Sequence, residues 1–170
     1  WRRALAESQT SPGRAALERN IRIPCGSLPG ARKGYGSKAA HQPDGRALSL
    51  CRRLHRPVDP PILRGLGLAR LQGCRFDKCS ELGQALLDHE THDPIARTEG
   101  RYLIGVSAFW RGDLAMARHY LEGAVAAYDV SHREKHLALY AQDLKAVCLV
   151  RLAWVELWAR DAGRADQRAR

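Results

Sequence analysis

The sequence predicts an all-α fold, helical hairpins preceded by a disordered basic arm, and three observations carry that expectation. Helix-start signals recur at Asp59-Pro60, at Asp93-Pro94 and at Ser131, where Glu134 three residues on completes a capping box. A glycine stands where a helix should stop inside each resulting block: Gly73, Gly112 and Gly163, each able to take the left-handed C-cap conformation cheaply. Finally, Gly67, Phe76 and Cys79 match Gly105, Leu114 and Ala117 at one constant separation of 38 residues, which marks a repeat.

The arm comes first. Residues 1–46 include "IRIPCGSLPGARKGYGSKAAHQPDG", where Gly, Pro, Ser and basic residues recur with no helical or strand period and almost no aromatics. Such a composition buries too little apolar surface to offset chain entropy, so it predicts disorder, with a short helix near 14–20. Charge follows the same boundary. Residues 1–59 hold 12 Lys and Arg against four acids, a net +8, whereas residues 60–170 hold 16 against 14, a net +2 of the total +10. From Ala47 the helical region begins: "ALSLCRRLHR" reads as a short helix ended by Pro57, followed by hairpins over about 60–90, 93–129 and 131–170.

The stretch "GVSAFWRGDLAMARHYLEGAVAAY" at 105–128 shows why a hairpin is expected rather than one helix. After Gly112, Asp113 can cap a second helix whose Leu114, Ala117, Leu121, Ala124, Val125 and Tyr128 form one apolar stripe. Before it, Tyr102, Val106, Phe109 and Trp110 form a facing stripe, and Gly105 is small enough to let the two helices approach closely. The chain starts at Trp1 and stops at Arg170 inside a helical pattern, which predicts a fragment of a longer product, its third hairpin cut short.

These residues resemble a tetratricopeptide (TPR) repeat: a small residue midway along the first helix (Gly67, Gly105), Gly at the turn, and a large-x-x-small opening of the second helix (Phe76/Cys79, Leu114/Ala117). The period of 38 exceeds the usual 34 or so, and Leu63 and Arg101 stand where an early aromatic belongs, so the likeness is to a divergent, TPR-like solenoid. Residues 100–165 further resemble the helical repeat region of large bacterial signalling ATPases, multidomain proteins in which a P-loop ATPase precedes the repeats and a DNA-binding or nucleotidyl-cyclase domain is often attached. Leu144 follows Asp143 where that family has Pro, which removes the sequence signal for a helix bend there. The resemblance implies a bacterial, cytoplasmic regulator and supplies no catalytic residue.

Motifs that could carry chemistry fail on spacing. In "GARKGYGSK" the fifth residue after Gly30 is Tyr35, and Gly36 is followed by Ser37, so no Walker loop forms and the segment reads as a basic linker. His132 and His136 are one helical turn apart, but Glu134 sits one place late for a zincin helix; with His89 and His92 they read as solvated boundary residues. The five cysteines form no C-x-x-C pair, which predicts free thiols in a reducing compartment, and Cys79 takes a small packing position in the first hairpin. Trp154 and Trp158 form a ridge on the first helix of the third block, a surface that would mark a missing neighbour.

The function expected is therefore non-catalytic, with no cofactor and no metal: stacked hairpins offer a concave groove to a protein, a peptide or an adjacent domain. Candidate groove residues lie on the first helices: Arg70, Arg101, Tyr102 and Trp110. A freestanding adaptor is the second reading. The third is nonspecific nucleic-acid binding through the basic arm, driven by charge without base-stacking aromatics. No apolar run is long enough to span a bilayer.

Overall fold

The structure, a computed structural model, describes residues 58–89 and 92–169, with side chains to residue 160. The predicted basic arm and the helix over 47–56 lie outside the described residues. Within them the chain is all-α: α1 (Pro60–Gln72), α2 (Phe76–Leu87), α3 (Pro94–Trp110), α4 (Leu114–Ala127), a 3-10 turn at Val130–His132, α5 (Arg133–Tyr140) and α6 (Leu144–Ala169). Helices α1 and α2 pack as one hairpin, α3 and α4 as the next, and α2 lies along α3 to join them.

Both hairpin turns are the same Schellman closure, 38 residues apart. At the second, Gly112 takes φ +82° and the Asp113 amide donates back to the Ala108 carbonyl at 3.0 Å. At the first, the Arg75 amide donates to the Arg70 carbonyl at 2.8 Å, and the left-handed residue is Cys74, with φ +55°, while Gly73 stays at φ −85°. The glycine expected to turn the chain at 73 is thus one place early; the repeat register assigns the turn to Cys74, which bears a Cβ in a conformation that disfavours one. Asp93 and Asp113 cap their helices as expected, accepting from the Ile95 amide at 3.0 Å and the Met116 amide at 2.9 Å.

Helix α3 is the centre of the molecule. It touches α1, α2, α4 and α6, and from Ile95 to Phe109 only Arg97 and Arg101 escape burial. Small residues permit this crowding. A Cβ on Gly105 would come within 2.8 Å of the Leu121 side chain, the close approach of α3 and α4 expected from the sequence. On the other side Gly83 of α2 and Gly100 of α3 cross backbone to backbone, a Cβ on either meeting the other's carbonyl oxygen at 2.9 or 2.7 Å.

The third block departs from its predicted form. Ser131 does not cap a helix; Asp129 does the capping, accepting from the Ser131 amide at 2.8 Å to form the 3-10 turn. The break comes at Ala141, with φ +54°, not at Gly163, which lies inside α6. Arg133 bridges the break to Asp143 at 2.8 Å, and α6 starts at Leu144. Helix α5 packs chiefly on α1, and α6 on α4, so the block is not a hairpin of two facing helices. The 38-residue register nevertheless survives it. Arg64, Tyr102 and Tyr140 are one repeat position in α1, α3 and α5, and Arg64 lies over both tyrosine rings at 5.4 and 5.8 Å. Cys79, Ala117 and Val155 are another, in α2, α4 and α6, all fully buried. Helix α6 thus holds Val155 at the spacing of Cys79 and Ala117 although it begins about two turns ahead of that spacing; it also carries the Trp154/Trp158 ridge expected on a first helix.

The turn chemistry gives a direct test. A non-glycine in the left-handed region costs about 1–2 kcal/mol, and nothing lies within 4 Å of a Cβ on Gly112. Gly112→Ala is expected to lower stability by about 1 kcal/mol through backbone strain alone, and Cys74→Gly to leave it unchanged or raise it by up to about 1 kcal/mol. Denaturant melts of the two variants check this; a Cys74→Gly variant less stable than the parent by more than that would contradict the turn assignment.

Candidate functional site

The four residues expected to share a groove do not meet. Arg70 is exposed at the end of α1, and Arg101 lays its aliphatic stem against Gly123 of α4, 3.4 Å from where a Cβ would stand. Tyr102 is 3% exposed and packs inside under Arg64, so it offers nothing to a partner. Only Trp110 presents a large apolar surface, 45% of it accessible.

Arg64, Glu99 and His136 form a buried polar cluster that the sequence reading did not identify. Glu99 sits at a fully buried position of helix α3. Its carboxylate accepts from Arg64 Nε at 2.9 Å and lies 2.9 Å from His136 Nδ1, every partner being almost completely shielded from solvent. Arg64 also donates to Gln142, and Tyr128 stacks on the imidazole at 5.1 Å. Burial opposes the Arg64 charge, but the Glu99 carboxylate together with Tyr102 and Tyr140 outweighs it and holds the guanidinium above its ordinary value. His136 is thus an interior residue, not the solvated boundary residue expected, and it ties α5 to α3 while Arg64 ties α1 to both. His89 is half-buried, its ring 3.1 Å from the Val58 carbonyl.

A histidine oriented by a carboxylate is half of a nucleophile-activating arrangement. Here no Ser, Thr or Cys among the described residues bonds to the imidazole, and the cluster is closed to substrate. No group of three or more potential metal ligands occurs among the described residues. Burial pushes the Cys79 thiol up and the Cys148 thiol to about 12, far from the thiolate a nucleophile needs.

The accessible chemistry lies on α6. Val150, Trp154, Leu157 and Trp158 follow helical steps along one stripe, and each is between 43% and 56% exposed. The stripe continues onto α3: Trp158 stacks on Phe109 at 4.6 Å, and Phe109 meets Trp110 edge-on at 5.3 Å. Arg151 lies among the rings, 4.9 Å from Trp154, 5.7 Å from Trp110 and 5.8 Å from Phe109. With about 150–250 Å² for a whole aromatic side chain, the three tryptophans, Leu157 and Val150 expose on the order of 500 Å², within the range at which a surface patch is often functional. On another side of the helix Glu156 pairs with Arg118 of α4 at 2.8 Å.

Comparison with known proteins adds no relative: no family model, no curated protein and no solved structure matches this chain. Among the described residues no helix is long and apolar enough to cross a membrane.

Two outcomes follow from the buried groups. Arg64→Met leaves Glu99 without its guanidinium and is expected to cost about 3–5 kcal/mol, while the combined Arg64→Met, Glu99→Leu, His136→Phe variant should recover most of that; a single variant as stable as the parent in urea would show that the cluster does not hold the helices. Among the described cysteines only Cys74 is exposed, so peptide mapping after brief alkylation of the folded protein should find Cys74 modified and Cys79 and Cys148 protected. Because the Cys148 thiol titrates at about 9 when unfolded and about 12 when folded, its stabilising contribution is complete below pH 9 and is lost as pH rises between those values.

Proposed function

We propose that this chain is a non-catalytic protein-interaction region, a TPR-like helical solenoid within a cytoplasmic, ATP-dependent bacterial signalling or transcriptional regulator. The observation that supports it is the half-exposed Trp110, Trp154 and Trp158 cluster, an aromatic surface of the kind on which binding energy concentrates. The recurrence of buried positions every 38 residues supports the repeat part of the reading. The placing in a regulator rests on the sequence resemblance, and the cytoplasmic placing on cysteine usage. The buried carboxylate–histidine pair, Glu99 and His136, is engaged in holding helices together, which favours binding over catalysis at that site.

Site-directed photo-crosslinking in cells tests the reading. A crosslinker at position 110, 154 or 158 is expected to give one or a few discrete protein adducts, and the same group at Glu81, on the exposed side of α2, to give none. Equal adduct patterns from all four positions would remove the support for a specific binding face.

A further inference from the structure

A second copy of this chain, the basic arm and a different protein could each occupy the apolar stripe on α6. Charge and area separate them. Arg151 stands in the middle of the aromatic cluster and pairs with no carboxylate among the described residues, whereas the nearby Glu156 is already engaged by Arg118. The charge set among the aromatic rings is therefore positive and has no carboxylate partner among the described residues.

A second copy would bring the same cation to the same place. A two-fold contact over the stripe brings two Arg151 guanidinium groups and no carboxylate into one apolar interface, in a chain of net charge +10, and like charges gathered in one interface disfavour it. Two such patches bury on the order of 1,000 Å² in all, short of the roughly 1,200–2,000 Å² of a standard stable interface. The arm fares no better, since residues 1–59 carry a net +8 and almost no aromatics. A single helix of another protein suits both facts: its apolar side fills a narrow stripe read at helical steps, and a carboxylate on its flank supplies what Arg151 lacks.

Building on the interaction reading above, we infer that the Val150/Trp154/Leu157/Trp158 stripe together with Trp110 binds an acidic amphipathic helix of a partner protein, apolar side down, with one Glu or Asp bonded to Arg151. The guanidinium is held close to three rings, so little rotamer freedom remains to be lost on binding a carboxylate. Recognition then has two independent parts, an aromatic contact that sets affinity and a charge contact that selects the partner.

The test selects binders for the full chain from a displayed library of 20-residue amphipathic helices with randomised flanking positions. The expected result is enrichment of clones with a Glu or Asp at one fixed offset from the apolar stripe. An enriched clone made as a peptide should lose about tenfold in affinity to Arg151→Gln, lose less to Arg151→Lys, and lose binding to Trp154→Ala and Trp158→Ala. Each variant's melting curve is taken alongside, and Arg151→Lys keeps the charge test informative if the Gln variant unfolds. Enriched helices with no acidic preference, or with affinity indifferent to Arg151→Gln, overturn the charge rule and leave the interaction reading standing. No enrichment at all, or clones indifferent to the tryptophan variants, overturns both. A stable dimer of the chain that Trp154→Ala dissociates overturns the inference in favour of self-association.

Discussion

A helix covered on every side can carry a charge only if the charge is bonded inside the protein, and Glu99 on α3 sets that condition for this molecule. Its two oxygens are taken by Arg64 and His136, so α1, α3 and α5 must arrive at fixed distances from one another. Removing a carboxylate from water costs several kcal/mol before any partner is counted, which means the cluster specifies an arrangement more than it adds stability. Glycines make the arrangement possible. Gly83 and Gly100 let α2 and α3 touch through their backbones, and Gly105 admits Leu121.

The outer surface follows from that interior. With α5 tied to α3 by His136, the chain breaks at Ala141 and α6 follows, packing on α4 and α3 with Leu144 and Cys148 buried. Val155 then restores the repeat register, and the same helix must turn Val150, Trp154 and Leu157 outward, because the side facing α4 is already filled. The aromatic stripe is thus a consequence of how the third unit is shortened. Arg151 reaches the rings for the same reason, since it lies between the buried and exposed sides of α6.

Much of this was legible in the chain and some was not. The first two hairpins were readable because their signals are local: Asp-Pro starts, Gly-Asp at 112–113, and small residues at one spacing. Cys74 escapes a local reading because the neighbouring Gly73 has the signature of a turn residue, although the 38-residue register points one place on. Gly163 misled for the opposite reason. A glycine inside a helix costs only about 1 kcal/mol relative to Ala, and a helix anchored by Leu144, Cys148 and Val155 tolerates it. The Arg64–Glu99–His136 cluster joins residues 35 and 37 apart in sequence, beyond any local pattern. Its trace was Glu99, spaced like Ala96, Leu103 and Val106 on a stripe that should be apolar. Tyr102 was placed in a groove because its repeat equivalent, Arg64, was not recognised as its stacking partner.

Native-state hydrogen exchange tests the central claim, that α3 is the covered core on which the other helices are assembled. Amides in the middle of α3, Leu103 to Phe109, should exchange only through global unfolding, with the slowest rates in the described chain, while those of α5 and of the outer half of α6 open at lower free energy. Exchange in α3 as fast as in the last turns of α6 would contradict the account.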